Sequence, residues 1–111
     1  MSLTLHRSEE FNVDFDVQYR WYLREAGETV AEGYMSAVLA TVQALSQAPG
    51  VGRLRRFRHQ ALRDLRSLRV SRPFDRHVLF YRYTESDLFI ERVMHGMRDL
   101  PRRLLEPPEA P

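Results

Sequence analysis

RHVLFYRYT, residues 76–84, followed across ESD by LFIERVMHG, residues 88–96, is the stretch on which the fold turns. The first run is apolar on both of its faces, as a strand at the centre of a sheet must be. The second run pairs with it across the polar turn. Periodicity places these strands but does not give their order in a sheet.

Upstream, LRSLRV (65–70) reads as a short strand with Leu68 and Val70 on one side and Arg69 on the other. It is preceded by PGVGRLRRFRHQ, a turn-rich, very basic connector in which Gly50 and Gly52 supply flexible backbone. Further back, Val30, Tyr34, Ala37, Val38, Thr41 and Leu45 recur at helical spacing until Pro49 and Gly50 stop them, and TVAE (29–32) fits a capping box at the start of that helix. An earlier helix runs from a Ser8 cap, with Glu9 and Glu10 in its first turn, to about Ala26, and Gly27 ends it. Phe11, Phe15, Tyr19, Tyr22 and Ala26 form its core stripe. Val13, Val17 and Trp21 form a second apolar stripe roughly opposite, either scattered surface residues or a face that a partner covers. LTLHR (3–7) alternates as a short first strand, so the element order is β-α-α-β-β-β. No internal repeat interrupts it.

The 111 residues suit one domain, expected over 1–105, with a frayed Pro-rich tail at 106–111. Hydrophobic residues at 43% against 29% charged describe a chain that folds rather than a disordered one. The absence of Cys excludes disulfides and thiolate metal sites. No apolar run reaches the roughly 18 residues that span a bilayer, and MSLTLHRSEE lacks the apolar core of a secretory signal. A cytoplasmic location, with no membrane association, is the expectation. Charge is unevenly spread. Residues 1–52 hold 3 Arg against 7 acids, whereas residues 53–82 hold 10 Arg against 2 acids, a local net of +8. So dense a basic segment attracts polyanions or acidic protein surfaces.

Taken in order and spacing, the aromatic-rich first helix, the second helix closing on ALSQAPGVG, LRSLRV, RHVLFYR and the closing RVMHGMRDL resemble the RelE/ParE superfamily of toxins from type II toxin–antitoxin systems. The resemblance is to the ParE branch, whose last strand ends in a similar V-x-H-x-x-R-D-L pattern, and it covers about residues 3–105. It implies an α+β fold, a small antiparallel sheet with an N-terminal helical hairpin packed on it. It also implies a role in growth inhibition and plasmid stabilisation, with a cognate antitoxin as partner and DNA gyrase as the target of direct binding. The RelE branch offers the alternative, a ribosome-dependent mRNA endonuclease acting on ribosome and mRNA, and some members are inactive; fold likeness does not choose among these.

A nuclease needs an acid or base of suitable pKa and cations fixed at the phosphate. The candidates are His77, His95, Tyr81, Tyr83 and Arg66, Arg69, Arg82, Arg92 and Arg98. If the chain were a nuclease, His95, Arg98, Arg82 and Tyr81 would be its catalytic groups, with His95 in the acid–base role. The simpler expectation is that His95 and Gly96 close the last strand, that His95 bonds backbone or stacks on an aromatic ring, and that Asp99 pairs with Arg98. His6, His59, His77 and His95 show no metal-ligand spacing, and no nucleophile elbow or phosphate loop is present, so neither metal nor cofactor is expected. Arg66, Arg69, Arg82 and Arg92 are expected to form a target-binding basic surface, first for protein and second for nucleic acid. Val13, Val17 and Trp21 are the expected antitoxin-binding residues.

Overall fold

In the computed structural model, which describes residues 2–108, the chain opens with β1 (Thr4–Arg7), α1 (Glu9–Ala26) and α2 (Glu28–Gln47). Ser8 caps α1 as expected, its Oγ accepting the Phe11 N–H at 2.9 Å. The same hydroxyl donates to the Glu91 carbonyl at 2.6 Å, so one side chain both starts the helix and ties it to the last strand. Gly27, at φ 93°, is the whole joint between the helices. A residue with a Cβ would be strained there. Because that joint is a single residue, Thr29 already lies inside the first turn of α2 and the TVAE capping box does not form; α2 has no side-chain cap.

Four further strands follow: β2 (Arg53–Leu54), β3 (Arg66–Arg69), β4 (His77–Tyr83) and β5 (Asp87–His95), and a short α3 (Leu100–Leu105) comes last among the elements of the described residues. They form one sheet in the order β1-β5-β4-β3-β2, with β4 at its centre. The expected antiparallel sheet is found from β2 to β5. At the edge it gives way to a mixed arrangement, since β1 runs parallel to β5 with Leu5 opposite Leu88. Parallel pairing requires a long crossover, which here runs through the helical hairpin and then through β2, β3 and β4. An imidazole clips this edge: His6 Nε2 lies 2.7 Å from Asp87 Oδ1, and the ring stacks on Phe89 at 4.9 Å.

The hairpin covers one face of the sheet. Phe11, Tyr34, Val38, Val42 and Leu45 pack on Val70, Leu79, Tyr81, Leu88, Ile90 and Val93, with Phe15, Tyr19 and Tyr22 at the margin. Ala26, assigned to that stripe in the sequence, is exposed because α1 has run past the sheet by its last turn. The other face has a small core of its own, Leu62, Leu65, Val78, Phe80 and Met94 beneath Leu100 and Leu104 of α3. Each such side chain fully buried contributes on the order of 2 kcal/mol. β4 is therefore apolar on both faces because both faces are roofed.

A bulge opposite Phe80 and Tyr81 pairs those residues with Arg92 and Ile90, leaving Glu91 outside the register. β5 ends at His95, and Gly96 turns the chain at φ 80°. Of the tail expected at 106–111, residues 109–111 lie outside the described part; the Glu106 carbonyl accepts from Arg92 Nη1 at 2.9 Å.

Candidate functional site

The four groups proposed for phosphodiester chemistry are not brought together. Tyr81 is wholly buried on the hairpin side, its hydroxyl donating to the Pro49 carbonyl at 2.6 Å and accepting the Gly52 N–H at 2.9 Å. Burial raises its phenol above the ordinary value. Arg82 is the next residue on the same strand and so projects from the opposite face. There it pairs with Glu91 at 2.7 Å and donates to the carbonyls of Arg63 and Ala61. His95 stands opposite His77, five positions along β4 from Arg82. That is about 16 Å at strand rise. Arg98 is exposed beyond the strand, and its guanidinium makes no hydrogen bond among the described residues.

His95 packs edge-on against the His77 ring at 4.9 Å, the aromatic contact expected of it. His77 is buried, and its Nε2 shares a 2.8 Å hydrogen bond with the Tyr22 hydroxyl. Burial, helped by the adjacent His95, pushes the His77 imidazole down to about 4, so it is neutral at physiological pH. Asp99 does not pair with Arg98; its carboxylate faces Arg102 at 3.5 Å, one turn along α3, because Asp99 immediately precedes that helix.

Two surfaces do present themselves. On α1, Val13 and Trp21 are 38% and 46% exposed, on the side turned from the sheet, with the Trp21 ring edge-on to Tyr22 at 5.4 Å. Val17, half-buried between them, lines a groove with Gln18, Val93, His95, Arg103 and Pro107, where α1 meets the end of β5 and the residues after α3. The three residues of the second stripe thus lie together beside a concave surface.

The second surface is basic, but it is not the set expected. Arg92 is 6% exposed: Nε and Nη2 hold Asp14 at 2.7 and 3.0 Å, and Nη1 reaches the carbonyls of Arg103 and Glu106. It is a strut, drawn inward because Asp14 on α1 lies opposite it. Burial raises the Asp14 carboxyl above its ordinary value, while the Arg92 guanidinium and the Val93 N–H pull the other way. Arg66 donates to the carbonyls of Gly50 and Gly52 and lies over the Tyr83 ring at 5.6 Å. Of the four expected residues only Arg69 stands on open surface without a carboxylate or a ring, donating to the Asp75 carbonyl at 2.9 Å. Beside it are Arg53 and Arg55, in the connector read as a loop. The signal for them was the alternation Arg53-Leu54-Arg55, which puts both arginines on one side of an extended segment.

Among the described residues no group of three or more His, Cys, Asp or Glu side chains could hold a metal ion, and no helix is long and apolar enough to cross a membrane.

The family model described as the ParE toxin of the type II toxin–antitoxin system, parDE, matches residues 5–100. Comparison with curated protein sequences gives no match. Among solved structures, a chain of the chromosomal ParDE toxin–antitoxin system from P. aeruginosa superposes with a TM-score of 0.68 at 19% identity, over 86% of this chain and 98% of that one. At that identity the likeness concerns the fold. The match across residues 5–100 shows the rest: the chain belongs to the ParE toxin family of type II toxin–antitoxin systems.

Proposed function

We propose that this toxin stops growth by binding DNA gyrase in the cytoplasm, without covalent chemistry of its own, and that a cognate antitoxin neutralises it. The observation that carries this reading is the dispersal of the four candidate catalytic groups. Tyr81 spends its hydroxyl on two backbone partners, Arg82 lies on the other face, and His95 is about 16 Å from it along the strand. Cleavage of an mRNA needs such groups around one point. Binding does not.

The antitoxin is assigned to the α1 stripe. Val13, Val17 and Trp21 offer apolar anchors beside a groove, which suits an amphipathic segment of the partner. The gyrase contact is assigned to the basic side of the molecule, from which Arg92, being buried, is excluded.

Purified toxin is to be added to a gyrase supercoiling reaction and, separately, to a translation reaction read by primer extension. Inhibited supercoiling with uncut messages is expected, and His95→Ala is expected to leave the inhibition unchanged. Messages cut at codons while supercoiling proceeds would replace this reading with the ribosome-dependent nuclease. Neither effect would mark an inactive member of the family.

A further inference from the structure

Beyond the small core under α3, the same face of the sheet carries three arginines at the β2–β3 edge, around the buried Ser67. Arg53 is directly opposite Ser67 in the β2–β3 ladder, and Arg69 is two residues along β3 from Ser67, so all three side chains share a face. Arg55 continues the ladder by donating its N–H to the Leu65 carbonyl at 2.8 Å, and its Nε donates to Ser67 Oγ at 2.8 Å. β2 thus sets Arg53 diagonal to Arg69, with Arg55 on the far side of Ser67 along the same edge.

Like charges gathered at one edge repel, and no carboxylate nearby relieves them. Among the described residues no carboxylate comes within ion-pair distance of Arg53, Arg55 or Arg69. Asp64 lines the hollow next to Arg55, yet it forms no pair with it. The crowding registers on Arg55, whose guanidinium is held below its ordinary pKa by burial and then by Arg53 and Arg69. A fold that gathers three cations without a counter-charge leaves a place for an external anion.

The surroundings choose the anion. A protein interface is centred on a buried apolar or aromatic anchor. Of the exposed large apolar residues of this edge, Leu54 alternates with the two arginines and points to the other face, and Val51, in the turn before β2, is a single open aliphatic side chain rather than a buried anchor. A single strand would want exposed rings for its bases to stack on, and Phe57, the aromatic nearest along the connector, packs into the small core under α3. Guanidinium forks suit phosphate oxygens, and a duplex presents these in rows.

We propose that Arg53, Arg55 and Arg69 form a contact surface for the phosphate backbone of duplex DNA, sequence-independent and available on the toxin alone. The inference goes beyond the gyrase reading and does not rest on it, since its test contains no gyrase.

The test is anisotropy of a labelled duplex of about 20 base pairs titrated with the full chain between about 50 and 200 mM salt. Binding that weakens steeply with salt is expected, and the slope should fall by about one for each of the three arginines replaced by Gln. Arg53→Gln alone suffices should the triple variant not fold, because the Arg53 side chain makes no hydrogen bond among the described residues. Arg20→Gln, on α1 and paired with Asp16, should leave the slope as it is. No binding at the lowest salt would overturn the proposal. So would a wild-type slope in Arg53→Gln, or displacement of the duplex by polyglutamate at equal charge, which would reassign the surface to an acidic protein.

Discussion

Arg92 of β5 and Asp14 of α1 form a two-point ion pair, Nε to Oδ2 at 2.7 Å and Nη2 to Oδ1 at 3.0 Å, with side-chain exposures of 7% and 10%. The third guanidinium nitrogen holds the carbonyls that end α3, so a single side chain joins the first helix, the last strand and the end of the described chain. Asp14→Ala leaves that guanidinium buried without its counter-ion. The loss of stability should be about 3–5 kcal/mol, read as a lowered urea midpoint. A loss under about 1 kcal/mol would mean that the pair is only a surface contact.

His77 makes stability depend on pH in a definite direction. Its folded-state value, about 4, lies below the ordinary 6.5. Above pH 6.5 the ring is neutral in both states and contributes no pH dependence. Between 6.5 and about 4 the unfolded chain takes up a proton that the folded chain refuses, so stability falls as pH falls through that window. The full effect is on the order of 3 kcal/mol. Carboxylates titrate there too, so the measurement is the difference between wild type and His77→Gln. That difference should shrink from pH 7 to pH 4.5; a constant difference would refute the assignment.

Gly52 and Tyr81 are matched to each other. A Cβ at residue 52 would run into the Tyr81 hydroxyl and ring, which are themselves fixed between the Gly52 N–H and the Pro49 carbonyl. Gly52→Ala should cost about 1–3 kcal/mol through overpacking. Tyr81→Phe should cost a similar ~1–3 kcal/mol, because a donor and an acceptor are left without their partner. Both are stability effects. Under conditions where the variants are folded, gyrase inhibition by Tyr81→Phe should equal that of wild type.

Trp21 is the residue whose removal should separate antitoxin binding from folding. It is 46% exposed and rests on Tyr22 by one edge, so Trp21→Ala should leave the urea midpoint nearly in place. Affinity for the antitoxin should drop by roughly 30-fold or more, as for a central aromatic anchor. Isothermal titration with the cognate antitoxin measures it. Unchanged affinity would move the contact off this stripe.

The parts legible in the sequence were those with a local signal. Ser8 followed by two acids marked the start of α1, the run at 76–84 marked the central strand, and His95-Gly96 marked the end of β5. What stayed hidden depended on distant partners. Two residues are too few to show a period, so the sequence alone neither separates β2 from the loop around it nor places Arg53 and Arg55. β1 gave its strand character away but not its parallel partner more than eighty residues on. Six residues of helix before a Pro-rich tail gave no sign of a second core beneath them. Residue type alone puts Arg92 on the surface. The clue against it was positional, since it lies two residues from Met94 on the face that carries Phe80 and Val78. Ile90 and Val93 share the opposite face at a spacing of three, which is the trace of the bulge at Glu91.

The parallel seam between β1 and β5 sets a condition on biosynthesis. β1 has no neighbour to zip onto until β5 has been translated, and Ser8, which starts α1, is likewise fastened to Ile90 and Glu91. Closing so long a loop is entropically costly and slow. A chain translated only as far as β4 therefore holds neither the partner of β1 nor the tie on Ser8, which makes closure of the fold wait for β5.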